Sequence, residues 1–188
     1  MNSRFLFPLA LAAAAWAPLA AQAQQALVPA QSEIRFVSKQ MGVPVEGKFK
    51  TFSAQINFDP AKLDASKIAF TVDTGSADIS REANAELPKA VWFNVAKFPQ
   101  ATFQSSSIKR IDANKFEVAG KLSIKGLSSD VVVPVTLAQS GATTTATGAF
   151  PIKRLTFRIG EQEWSDTSMV ADEVQVKFRL ALSGMPKL

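Results

Sequence analysis

Five carboxylates crowd together late in the chain: Glu161, Glu163, Asp166, Asp172 and Glu173, with Trp164 among them. Two acids held at a set separation across a glycosidic bond can protonate the leaving oxygen while the other attacks or activates water. Here the group falls in a loop and at the start of a strand-like run, where solvated side chains are the plainer reading. The spacing also departs from the Asp-x-Asp-x-Asp-Gly pattern of a calcium loop. Just upstream, Arg154 and Arg158 flank Phe157 and suit either a polar head group or surface ion pairs. Ser123, Ser128 and Ser129 carry hydroxyls without an evident base partner, so a serine nucleophile is unsupported. The chain has no histidine and no cysteine. That removes imidazole acid–base chemistry, Ser-His-Asp triads and most transition-metal sites. No catalytic residue and no metal ligand is assigned.

The first residues read as an address rather than as part of a fold. Arg4 supplies a short positive region, Leu6 to Ala20 is apolar, and Ala21–Gln22–Ala23 has the small-x-small form of a secretory cleavage site. The run is short for a membrane-spanning helix, which needs roughly 20 apolar residues. The expectation is a signal peptide at 1–23, a single domain at 24–188 and a periplasmic destination. Without cysteine, stability in that oxidising compartment must come from packing and strand pairing. The sequence has 21 basic and 16 acidic residues, and losing Arg4 leaves 20 − 16 = +4. The basic residues are scattered singly along strands, with no stripe or motif of the kind nucleic acids require.

What must be positioned is therefore apolar, and the elements that position it alternate with period two. In Lys115–Lys125, Phe116, Val118, Leu122 and Ile124 share one face while lysines and Glu117 take the other. In Glu173–Ser183, Val174, Val176, Phe178, Leu180 and Leu182 alternate with polar residues. One apolar face per strand describes an antiparallel sheet covered on one side. Ser32–Lys39, Lys67–Thr74, Thr102–Arg110, Asp130–Gln139 and Thr143–Ile152 obey the same rule. Pro134 lies on the outward phase of its strand and signals an edge or a bulge. The long run Val45–Asp59 changes phase, from odd positions (Val45, Phe49) to even ones (Phe52, Ile56, Phe58), which predicts a bend near Lys50–Thr51. About eight strands result, with one helical stretch at Arg81–Trp92, broken at Pro88. Closing into a barrel hides the apolar faces and removes the sheet edges; a two-sheet sandwich would satisfy the same alternation.

The stretch Ala90–Phe103 gathers four large aromatics. Proline biases its predecessor toward extended backbone, so Phe98–Pro99 stops the helical part and feeds the Phe103 strand. Trp92, Phe93 and Phe98 are then placed to cap a barrel mouth, with Phe103 starting the wall. Such a barrel is either filled by its own side chains or holds a ligand.

Several motifs in order carry a resemblance. Ser32-x-Ile34-x-Phe36, Val45–Glu46–Gly47-x-Phe49, Ile56-x-Phe58–Asp59–Pro60, Trp92–Phe93 and Phe98–Pro99-x-x-Thr102–Phe103-x-Ser105 are similar to the YceI family. So are Gly120-x-Leu122-x-Ile124–Lys125–Gly126 and Arg154-x-x-Phe157-x-Ile159–Gly160. The resemblance implies an all-β, eight-stranded, antiparallel up-and-down, lipocalin-like barrel with a short helical segment near one mouth. It implies a polyisoprenoid chain, of a quinone or a polyprenyl lipid, as a bound ligand rather than a cofactor. The residues expected around it are Phe36, Phe49, Phe52, Ile56, Phe70, Trp92, Phe93 and Phe98, with Phe103, Phe116, Leu122, Val135, Phe157, Trp164, Val176 and Phe178. Gln40–Met41–Gly42 and Glu163–Trp164 look like a subgroup associated with membrane cytochromes of the b561 type, which implies such a partner and a non-catalytic docking role as the alternative. Monomer and homodimer both stay open. The sequence departs from the family where histidines are common: Arg81–Glu82–Ala83–Asn84 and Lys39–Gln40 stand there instead, so no head-group contact or metal role is carried over for them.

Overall fold

The computed structural model describes residues 24–188, so the expected signal peptide lies outside the described residues. The strands follow the alternation, since each side buries every second residue. In chain order they are β1 (Ala26–Leu27), β2 (Glu33–Gln40), β3 (Val43–Phe49), β4 (Phe52–Asn57), β5 (Lys67–Asp73) and β6 (Ala77–Asp78). After helix α1 (Arg81–Glu86) come β7 (Gln100–Asp112), β8 (Lys115–Ile124), β9 (Leu127–Ser140), β10 (Thr143–Lys153) and β11 (Glu173–Ser183). All belong to one antiparallel sheet, in the order β4-β5-β7-β8-β9-β10-β11-β2-β3-β6, with β1 paired to β11. A sandwich of two sheets is thereby excluded.

Closure comes from the bend read in the sequence. β3 pairs with β2 and β4 pairs with β5, yet only Lys50 and Thr51 separate β3 from β4. The two ends of the sheet are thus halves of one bent strand, and the sheet must curl until they meet. Counting β3 and β4 as one gives eight long staves, with β1 and β6 as short additions. Tight turns join neighbours: Met41–Gly42 and Lys125–Gly126 each place two successive residues at positive φ, the geometry whose twist matches a hairpin.

Pro134 also finds its explanation. β9 pairs with β10 only from Ser140↔Thr143 to Thr136↔Thr147, whereas β9 stays paired to β8 down to Leu127. The Pro134 carbonyl faces Gly148 of β10, so its missing N–H lies on the side where the ladder has stopped.

One expectation is shortened. The helix runs only from Arg81 to Glu86 and has given way to turns before Trp92. Ser80 caps it by accepting a hydrogen bond from the Ala83 N–H at 3.2 Å. Leu87 still has helical backbone and donates its N–H to the Ala83 carbonyl, and Pro88, which has no N–H to give, ends the run there.

The core falls into two groups along the barrel. Ile34, Phe58, Phe116, Leu137, Leu180 and Leu182 lie toward one end, and Leu87, Phe93, Ile124, Phe157 and Ile159 toward the other. At the first end, the Gln25 amide behaves as a strand partner: its Nε2 donates to the Phe58 carbonyl at 2.7 Å and its Oε1 accepts from the Phe58 N–H at 2.8 Å. This ties the N-terminal segment across the base of the cylinder, where Leu27, Leu63 and Met185 pack onto the same group.

Candidate functional site

Between the staves runs a cavity of about 530 Å³, within the range of roughly 300–1,000 Å³ usual for small-molecule sites. Of the sixteen residues expected around a ligand, thirteen line it: Phe36, Phe49, Ile56, Phe70, Phe103, Phe116, Leu122, Val135, Val176 and Phe178 along the wall, and Trp92, Phe93 and Trp164 at the α1 end. The other three lie elsewhere. Phe52 packs into the core beside the base group. Phe98 lies over Gly126, where a Cβ would meet its ring. Phe157 is 2% exposed and wedged among Leu87, Phe93 and Ile124 behind the wall.

Why the bore stays open is legible in three wall glycines. Gly47 pairs with Phe36 across β3 and β2, and Gly148 with Phe178 across β10 and β11. Gly120 of β8 sits beside Phe103 of β7. In each case the phenyl ring occupies the space a Cβ would take. Three large rings are laid flat against the wall instead of projecting across the bore. A glycine inside a strand marks such a close approach, and this signal was present in the sequence without being used.

The mouth is built by the chain between β10 and β11. Arg154, 2% exposed, organises it. Its Nε donates to the Ala171 carbonyl (3.0 Å), Nη1 to those of Ile159 (2.9 Å) and Gly160 (2.8 Å), and Nη2 to those of Trp164 (2.7 Å) and Val170 (2.6 Å). A guanidinium has five N–H groups, and all are used. Burial pushes its pKa down, opposed by the nearby Asp172 carboxylate. Arg154 is therefore neither a head-group contact nor a surface ion pair. Arg158 is the surface pair: its Nε lies 2.7 Å from Glu161 Oε1.

The acidic group does structural work one residue at a time. Glu161 also binds the buried Lys125 Nζ at 3.0 Å, and this bond, helped by Arg158, holds its carboxyl below the usual range. Asp166 accepts from the Ser168 hydroxyl (2.7 Å) and N–H (2.8 Å), which lowers it too. Asp172 accepts from the Leu155 N–H at 2.9 Å, and Glu173 pairs across the ladder with Lys153. Glu163 is exposed in a short turn. Ser123 and Ser128 share a hydrogen bond across their hairpin.

Around the opening, Ser38, Gln40, Ser80, Glu82 and Glu86 join Trp92 and Trp164 in the cavity lining. The two indoles meet at a 45° tilt with 5.5 Å between centroids. Ser38 Oγ and Trp92 Nε1 are out of contact with solvent and have no hydrogen-bond partner among the described residues. Sequence reasoning missed Ser38 because it sought apolar residues on that face of β2.

The model of the YceI-like domain matches residues 26–182. The chain belongs to the YceI family. Protein YceI of Salmonella arizonae is 35% identical over 96 residues, half of each chain, so the match spans about half the length of that curated relative. Among solved structures, BcnA of Burkholderia cenocepacia has 50% sequence identity and a TM-score of 0.80, with 82% of this chain and 98% of that one covered. A domain from Saccharophagus degradans, described as polyisoprenoid-binding and implicated in plant cell wall breakdown, is 14% identical with a TM-score of 0.68, covering 85% of this chain and 98% of its own. That last likeness is one of fold.

Proposed function

We propose that this YceI-family protein holds the hydrocarbon chain of an isoprenoid lipid, of the prenyl quinone or polyprenyl class, along its bore, and serves as an exported periplasmic carrier or store for it. The observation that supports this most is the open apolar cavity kept clear by the three glycine–phenylalanine contacts. A protein of the same fold, the Saccharophagus domain, is described as binding such chains. Burial of apolar carbon stabilises binding by about 0.8 kcal/mol per methylene. Ten carbons give about 8 kcal/mol, comparable with the ~4–15 kcal/mol that association costs. No directional chemistry is needed beyond a preformed shape. The alternative of a packed barrel that only docks a membrane cytochrome requires a filled interior, and the cavity argues against it.

Native mass spectrometry before and after organic extraction tests the reading: the purified protein carries an extractable mass in the prenyl lipid range. Leu122→Trp and Val135→Trp place an indole in the cavity and lower reloading while leaving a cooperative unfolding transition. Gly47→Ala is a second obstruction: the nearest atoms to its new Cβ are in the Phe36 and Ile79 side chains, so the Phe36 ring must move off the wall. Failure of both tryptophan variants to fold, with no mass ever recovered from the parent protein, rejects it.

A further inference from the structure

The floor of the bore is held differently from its wall. Toward the base, Phe116 of β8 and Leu182 of β11 line the cavity from strands paired on both sides. Phe116 lies between Arg110 and Val135, and Leu182 between Thr144 and Leu27. Leu27, Leu63 and Met185 close the base by packing onto this group, and of the three only Met185 reaches the cavity. Met185 belongs to no strand. β11 ends at Ser183, opposite Thr143 of β10 and Ala26 of β1. Gly184 follows at a φ of +69°, backbone that glycine adopts without strain, and takes the chain off the ladder. Among the described residues, Gly184–Leu188 makes no backbone hydrogen bond to the barrel. Its side-chain tether is a surface bond, from Gln139 Nε2 to the Pro186 carbonyl at 3.2 Å.

A wall residue gives way to a ligand only if its strand shifts, which breaks rungs on either side. Met185 can give way alone. Its side chain is unbranched, turns about three bonds and fills irregular gaps. An isoprenoid tail entering from the α1 end gains apolar contact with every unit it buries. That gain stops where the tail meets the floor, because the next unit must expel a packed side chain or stay in water. Resting on the lumen reading given above, we propose that Met185 is the floor of the bore and sets its chain-length preference. Tails that stop short of it ride on the fixed wall. Longer ones enter only by pushing Met185, and the loosely tied Gly184–Leu188 behind it, out of the base.

The test uses the extracted mature protein and a series of prenyl benzoquinones that differ by single isoprene units. Neighbouring lengths compete from one detergent micelle mixture, and native mass spectrometry reads which is bound. The micelle's own preference is the same for every variant and cancels between them. Affinity of the parent protein is expected to rise with length and then break. Met185→Ala moves the break to longer chains, removal of Gly184–Leu188 moves it at least as far, and Met185→Trp moves it to shorter ones. At the first length beyond the parent's break, Met185→Ala is expected to bind about tenfold more tightly than the parent, the scale of one methylene that does not fit a hydrophobic pocket. Leu63→Ala loosens the same base group without touching the cavity and leaves the break in place. A break at one length in the parent, Met185→Ala and the shortened protein overturns the proposal, as does an equal shift in Leu63→Ala, and in either case the lumen reading survives. If Met185→Trp does not fold, the alanine and shortened variants decide. Binding of no benzoquinone at any length by the parent protein removes the lumen reading and this proposal with it.

Discussion

The base and the mouth of the cylinder are closed by different physics. At the base, strand ends, a side-chain amide and apolar residues finish the job: Gln25 pairs with Phe58, whose ring meets Phe116 edge-on at 5.3 Å. At the mouth, a long chain segment without strands is held by one buried guanidinium and a few carboxylates. Among the described residues, the four with a displaced pKa, Asp78, Arg154, Glu161 and Asp166, belong to the mouth side. A seal made of packed carbon is indifferent to pH and salt. A rim made of charge and carbonyls is shaped by both.

Arg154→Met should separate the two ends most sharply. It keeps the side-chain length but leaves five carbonyls without their donor, and removing one side of such a buried arrangement costs about 3–5 kcal/mol. Thermal unfolding should shift down strongly, with the Trp92 and Trp164 emission moving toward that of exposed indole. Gln25→Ala tests the base. It removes two hydrogen bonds and should cost about 1–2 kcal/mol, seen as faster amide exchange at Phe58, with the indole emission unchanged. Acid gives the smallest effect. Asp78, Glu161 and Asp166 have lowered folded-state pKa values, through Asn84 and Lys50, through Lys125 and Arg158, and through Ser168. Their stabilisation is fully present above the ordinary carboxylate range near pH ~4 and is lost as pH falls through the lower folded values. Titration below that point should loosen the indole environment before it changes exchange at Phe58. Simultaneous loss at both ends would show that the two are one cooperative unit.

The wall was readable and the rim was not, for a physical reason. Period two states which face of a strand a residue takes, so Phe103, Leu122, Val176 and Phe178 could be placed on the bore, and the phase change located the bend at Lys50–Thr51. Beyond the strands this logic has nothing to count. Phe157 sits in a single turn of tight helix after β10, where alternation no longer applies, and it went to the core behind the wall. Phe98 was correctly placed beside a proline, but its contact is Gly126 in a distant hairpin, which pattern cannot foresee. Arg154 looked like an exposed charge because arginine usually is one. Its role depends on five carbonyls being brought around it by the fold. The flattened rings were closer to hand, since an inward-phase glycine opposite a phenylalanine is visible once the pairing register is known.

The early end of the β9–β10 ladder has a mechanical consequence. A hoop of hydrogen bonds resists any change in circumference because every rung fixes the spacing of two staves. From Thr136 toward Leu127 one rung after another is missing on the β10 side, and β7 likewise has no β5 partner beyond Gln104 while it stays laced to β8. Along these two stretches the spacing of neighbouring staves is set by side chains rather than by backbone hydrogen bonds. Contacts between side chains resist a change in girth less than hydrogen-bonded rungs do, so these stretches are the softest part of the wall.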